Sequence, residues 1–249
     1  MSWNDMQPLL YNACLDTFFM VWWATVWAVI GGLPLGVLLV LTERGGQLRN
    51  AAVNKIISVV VNIGRSLPFI ILMIALIPFT RFVIGTSIGP SAAVVPLAIG
   101  AIPFFARLVE TAVREVDGGL IEAAQSMGGG TWTIVFKVLL PQAMPSLVAG
   151  LTNTVITVIS YSAMAGALGA GGLGSAAITY GQQRFDTRFM IVTVVLIIVI
   201  VTAVQLIGDL AVRALSRRSS RADAPRGLLR LPRPRKASEQ IQRDNAHLL

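Results

Sequence analysis

The sequence has one cysteine and one histidine in 249 residues, and only 13% of its residues are charged. Soluble domains carry about 25% charge. Cys14 alone allows neither an internal disulfide nor a cysteine metal site. His247 alone makes a Ser-His-Asp arrangement untenable, and there is no HExxH run or carboxylate pair to carry hydrolysis. None of Lys55, Lys137 and Lys236 follows a glycine, so the chain has no GxxxxGK[ST] phosphate loop and does not hydrolyse ATP by that route. No Lys or Arg precedes the first apolar run, so the basic start of a signal peptide is missing and the first span is expected to be retained.

Hydrophobic residues make up 55% of the chain and fall in long runs. A membrane-crossing helix needs about 20 mostly apolar residues. On that measure the chain reads as an all-α polytopic membrane protein with spans over 17–42, 54–80, 88–112, 145–167 and 189–208. GGLPLG at 31–36 implies a kink or close helix packing. GALGAGGLGSAAITYGQQ, at 166–183, is glycine-rich and too short for a comfortable further span. It reads as a loop or a re-entrant segment buried against protein.

The net charge of +8 comes from the tail, since ten of the 20 Lys and Arg lie between Arg213 and Arg243. Residues 213–249 are read as a basic, disordered cytoplasmic tail attached to a transmembrane domain over 1–212, with anionic lipid head groups a more natural neighbour than nucleic acid. Five spans put the termini on opposite sides. Placing the N-terminus outside gathers Arg44, Arg49, Lys55, Arg107, Arg114, Lys137 and the tail on the inner side, which puts 115–145 in the cytoplasm.

That stretch reads EVDGGLIEAAQSMGGGTWTIVFKVLLPQAMP. LIEAAQSM favours a helix, Gly128, Gly129 and Gly130 stop it, Thr131 is suited to cap a second helix, and Pro141 closes that one. Trp132, Val135, Phe136 and Leu139 share one face at helical spacing. The expectation is two short helices at an elbow, loosened by three consecutive glycines. A plain interfacial hairpin would also fit these residues.

Glu122, Ala123 and Ala124, then Gly128, Val138, Leu140 and Pro141 resemble the EAA signature of ATP-binding-cassette importer permeases: EAA, three residues, G, nine residues, I, one residue, LP. Only Val138 departs from it. The resemblance implies the type I importer permease fold, five transmembrane helices with a cytoplasmic coupling-helix loop, and docking of Glu122 to Pro141 on a separate ATPase subunit. Asn62 to Gly89 and YSAMAGALGAGGLG at 161–174 are similar to methionine-type permeases, over residues 15–213 in all. That implies uptake of L- or D-methionine across the cytoplasmic membrane by alternating access. Betaine, phosphonate or another amino acid is the alternative solute, and a non-transporting membrane scaffold is the alternative of another class. The implied partners are a second copy of the chain, an ATPase dimer that binds the ATP and Mg, an extracytoplasmic solute-binding protein and the lipid bilayer. This chain itself needs no cofactor or metal.

Two polar stripes stand out within the spans. Asn54, Ser58, Asn62 and Arg65/Ser66 share a face of span two, and Asn153, Thr157, Ser160 and Tyr161 share a face of span four. Polar groups in lipid face the bundle interior or a water-filled path. Helix-packing hydrogen bonds and a pathway lining are both open for them. Arg65 is expected either to pair with Glu110 or to line or gate the inner half of a pathway. Gly166, Gly169, Gly171, Gly172 and Gly174 are candidates for a gate that moves. The methionines, Met73, Met127 and Met164 among them, read as packing residues.

Overall fold

The structure, a computed structural model, describes residues 3–222, without side chains beyond Ser216. Contacts divide the chain after Ser216, and the description below concerns the first unit. Most of the expected basic tail lies outside the described residues.

The first helix, α1 (Trp3–Thr42), starts well before the expected span at 17 and carries Pro8 and Pro34 within it. Pro8 lies just past the first turn, so the Asn4 carbonyl loses its i+4 N–H partner while the helix runs on. Gly32 and Gly36 settle the reading of GGLPLG. A Cβ on Gly32 would lie 2.9 Å from the Ile102 carbonyl oxygen, and one on Gly36 2.4 Å from that of Ala106. The glycines therefore let α1 meet α5 (Pro90–Arg114) backbone to backbone.

Span two is not straight. It comprises α2 (Ala51–Ser66) and α3 (Phe69–Ala75), bent by 104°, and a short α4 (Ile77–Ile84) follows. Asn50 starts α2, its carboxamide oxygen accepting the Ala52 and Val53 N–H groups at 3.2 Å. Pro68 ends it, because proline supplies no N–H and pushes Leu67 into extended geometry.

Beyond α5 come α6 (Gly118–Ser126), α7 (Thr131–Ile134), a π-helical turn (Val135–Leu139) and α8 (Leu140–Gly166). The last three form one helix over Thr131–Gly166. Then α9 (Gly172–Ala176) continues through a second π-helical stretch (Ala177–Gln183), so 172–183 is helical. The last helix is α10 (Thr187–Ala222), which runs past the boundary expected at 212. Among the described residues four helices are long and apolar enough to cross a membrane, and the bent α2–α3 pair, taken as one span, makes the fifth.

The core is built on α1 and α5. Met20, Ala24 and Ala28 pack with Phe69, Leu97, Ala101 and Val158 in the middle of the bundle. Val37 and Leu41 pack with Phe105, Val109, Ile134 and Val135 toward the α6 end. Met6, Leu10 and Ala13 pack with Leu173, Ala176 and Phe189 at the opposite end of α1. Only 6% of the most apolar window of α10 is buried, which suits a helix facing lipid.

Candidate functional site

Three places hold the residues singled out in the sequence: the α6 end, a cavity at the break in span two, and the glycine segment at the far end of α1.

At the α6 end, Asp117 caps α6 by accepting the Gly119 N–H at 2.7 Å, and none of the residues of α6 is buried. The Met127, Gly128 and Gly129 N–H groups then donate to the Ala123, Gln125 and Ala124 carbonyls at 3.2, 2.8 and 2.9 Å. Gly128 adopts φ +79°, which L side chains rarely take. A Cβ on Gly129 would stand 2.7 Å from the Ala124 oxygen, whereas one on Gly130 would meet nothing within 4 Å. Two of the three glycines are therefore required by the turn geometry, and the elbow is closed by hydrogen bonds. The loose elbow expected from GlyGlyGly is not what these residues form.

The second half of the elbow also differs from expectation. Gly130 is the N-cap and no side chain caps there, so Thr131 is the first helical residue. Pro141 does not end the helix but sits in the first turn of α8. The turn before it is π-helical, with the Leu140 N–H reaching the Val135 carbonyl five residues back, and this wider turn admits a residue without an N–H. The expected apolar face is divided between core and surface. Val135 and Leu139 are buried, while Trp132 and Phe136 are 66% and 62% exposed and stack on each other at 6.0 Å.

The signature divides in two. Ala124, Val138 and Leu140 pack against the bundle, whereas Glu122, Ala123 and Pro141 are exposed. Met127, 82% exposed, and the Trp132–Phe136 stack add bare apolar side chains to the same α6–α7 segment.

Beneath it, Glu110 is gripped by two arginines. Its side chain is 3% exposed and accepts from Arg107 and from Arg114, each at 2.6 Å, and Arg114 also reaches Glu43 at 2.9 Å just past α1. Glu110 therefore does not pair with Arg65. Its nearer partners lie three and four residues away on its own helix, a spacing that was visible in the sequence. A cavity of about 420 Å³ lies between the ends of α1 and α5 and α6, bordered by Glu43, Arg44, Arg114, Glu122 and Gln125.

At the break in span two, Asn54 donates to the Leu39 carbonyl at 2.7 Å and to Thr42 Oγ1 at 3.1 Å, so it is a packing residue that ties α2 to the end of α1. Arg65 lies roughly 16 Å further along α2 at 1.5 Å per residue. It is exposed, and among the described residues no carboxylate stands within ion-pair reach of it. Asn62 is exposed beside it, and the Ser66 hydroxyl donates to the Asn62 carbonyl at 2.7 Å. Tyr161 on α8 stacks on Phe69 of α3, with centroids 4.4 Å apart and planes 4° apart. A cavity of about 210 Å³ brings together Arg65, Leu67, Phe69, Leu72, Phe104 and Tyr161, which unites residues from the two stripes. Thr157 and Ser160 hydroxyls donate to the Asn153 and Ile156 carbonyls at 2.8 and 3.2 Å, within α8 rather than across helices. Asn153 and Ser160 are exposed and Thr157 half-buried, while Tyr161 of the same stripe is covered by Phe69.

At the far end of α1, the glycine segment is wedged in place. A Cβ on Gly166 would lie 2.3 Å from the Ser175 nitrogen, and one on Gly174 2.2 Å from the Ala163 oxygen. Gly169, Gly171 and Gly172 all take positive φ. The Thr17 hydroxyl accepts the Leu173 N–H at 2.9 Å, and the Gly169 carbonyl accepts the Gly89 N–H at 2.9 Å.

The comparisons agree with this architecture. Residues 32–221 match the family model described as binding-protein-dependent transport system inner membrane component. A probable D-methionine transport system permease protein, MetI, of Vibrio cholerae is 51% identical over 212 residues, covering 85% of this chain and 94% of that protein. The methionine import system permease protein MetP of Bacillus subtilis is 49% identical over 209 residues, covering 84% and 94%. A chain in the inward-facing MetNI methionine ABC transporter superposes with a TM-score of 0.84 at 46% identity, covering 86% of this chain and 99% of that one. The chain therefore belongs to the binding-protein-dependent transport system inner membrane components, a family of membrane-spanning permeases.

Proposed function

We propose that this chain is the permease subunit of an ATP-driven methionine importer. It couples through α6 to a separate ATPase subunit that binds the ATP and Mg, and it forms its pathway with a second copy of itself. The observation that carries the coupling role is α6 itself. It holds Glu122 and Ala123 outward, its glycine turn is closed by hydrogen bonds, and the Trp132–Phe136 stack lies bare next to it. A helix without buried residues in an otherwise apolar chain suits a protein partner.

A homodimer is supported by the faces left uncovered. Asn62, Arg65, Ser66, Asn153 and Ser160 are polar and exposed on helices that must live in lipid, where unpartnered polar groups are costly. A two-fold axis would set these faces around a shared aqueous path. The positive residues gathered at the α6 end support an N-terminus outside and a C-terminus in the cytoplasm. Closure of the ATPase pair would push α6, and the bundle would exchange inward-open for outward-open access. An extracytoplasmic binding protein would deliver the solute. Methionine, L- or D-, is supported by the names and high identity of the relatives.

Uptake of labelled L- and D-methionine in a transport-deficient auxotroph, with all subunits present, tests the solute. Uptake of neither removes methionine and leaves the permease class intact. Co-purification tests the coupling role, because a permease brings down an ATPase subunit and a membrane scaffold does not.

A further inference from the structure

We infer that the cavity at the span-two break is a solute site that reads an amino acid by its carboxylate, with Arg65 as the recognising group. The inference rests on the importer reading above and adds to it a site and a recognition chemistry.

Three features meet there. Arg65 is a cation in a membrane-spanning segment, and among the described residues it has no acid partner, whereas Arg107 and Arg114 are both paired. A lone arginine in a membrane-spanning segment is costly unless it faces water or an anion. Its guanidinium fork matches a carboxylate in two parallel hydrogen bonds. Next to it, Leu67, Phe69, Leu72, Phe104 and Tyr161 supply apolar and aromatic walls to a cavity of about 210 Å³ that Arg65 shares. The flat Phe69–Tyr161 stack makes one wall. Gly100 keeps the chamber open, since even a Cβ there would lie 3.3 Å from Leu72. Finally, α2 ends on the cavity. Pro68 has no N–H to give the Gly64 carbonyl, and Gly64 itself lines the space. The C-terminal end of a helix carries partial negative charge, which suits an ammonium group.

A carboxylate-binding cation, a negative helix end and an apolar chamber together describe a zwitterion with an unbranched or aromatic apolar side chain. Broken helices in transporters present such complementary ends to solutes. Among the described residues no acid lines the cavity, so a cationic side chain would find no partner there.

The test is binding of labelled L-methionine to the purified permease–ATPase complex without the binding protein, in competition with L-methionine and with L-methioninol, whose hydroxymethyl group replaces the carboxylate. Wild-type complex is expected to prefer methionine about tenfold or more, as a charge-assisted bidentate contact allows. Arg65→Gln is expected to bring that ratio near one, and Arg65→Lys to fall between. Each variant is first checked for retention of the ATPase subunit and for its melting temperature. Gly100→Val, which fills the chamber, is expected to weaken both ligands alike. An unchanged ratio in Arg65→Gln overturns the site, as does a wild-type complex that takes up methionine but binds none. A wild-type complex that takes up no methionine overturns the solute reading instead, and with it this ligand.

Discussion

A Cβ added to Gly128 would meet nothing within 4 Å, whereas one added to Gly174 would lie 2.2 Å from a backbone oxygen. Both glycines belong to clusters that look alike in sequence, GlyGlyGly at 128–130 and GlyAlaGlyGlyLeuGly at 169–174. At the α6 end glycine supplies a turn, and the side chains around it stay free for a partner. At the far end glycine supplies contact, and the surrounding backbone leaves no room. The chain thus uses one residue type to expose one element and to lock another.

The largest expected effect is at the locked end. Gly174→Val forces the backbone of Ala163 and α9 apart and should cost about 3 kcal/mol, read as loss of folded protein and a lower melting temperature. A variant that melts like wild type would mean the segment is free to move apart, which is the behaviour of a loose gate.

Next comes the ion cluster beneath the elbow. Glu110→Ala leaves Arg107 and Arg114 facing each other without their shared acid. Because both arginines are partly exposed, the cost should be about 1–3 kcal/mol rather than that of a fully buried pair. Chemical denaturation of the complex in detergent measures it, and a change within error would place the cluster's worth elsewhere.

Gly128→Ala should cost about 1 kcal/mol, the strain of a left-handed residue with a side chain. Gly130→Ala should stay within about 0.5 kcal/mol. Equal costs at the two would erase the distinction between a required and an incidental glycine.

The smallest expected effect on stability is the one that matters most for function. Glu122→Ala and Trp132→Ala should change stability by about 0.5 kcal/mol or less, because both side chains are exposed. Each should nevertheless release the ATPase subunit or uncouple its hydrolysis from uptake. Retained subunit with wild-type uptake would remove the outer half of the signature from the coupling surface.

The five-span count, the bundle class and the signature were legible because they rest on long apolar runs and on fixed spacing. Other features were hidden for physical reasons. The early turns of α1 contain Asp5, Pro8 and Asp16, which a hydropathy reading discounts, yet Met6, Leu10 and Ala13 bury against α9 and α10. Pro141 looked like a stop because a π-turn, which accommodates it, has no residue signature of its own. Pro68 sits inside an apolar window, so the bend at the end of α2 was invisible to composition. The Arg65–Glu110 pair failed because spacing within α5 outcompetes reach across helices. The cavity could not be read at all, since it depends on where Tyr161 meets Phe69 in space.

The length of α1 has a mechanical consequence. From Thr17, which holds the Leu173 N–H, to Thr42, which holds Asn54, the helix is a single strut of about 38 Å. A tilt of about 5° at the α6 end sweeps the other end sideways by about 3 Å, at 1.5 Å of lever arm per residue. That is the length of one hydrogen bond, so a modest lean of α1 against α9 is enough to part Leu173 from Thr17, while the glycine contacts between α8 and α9 stay closed.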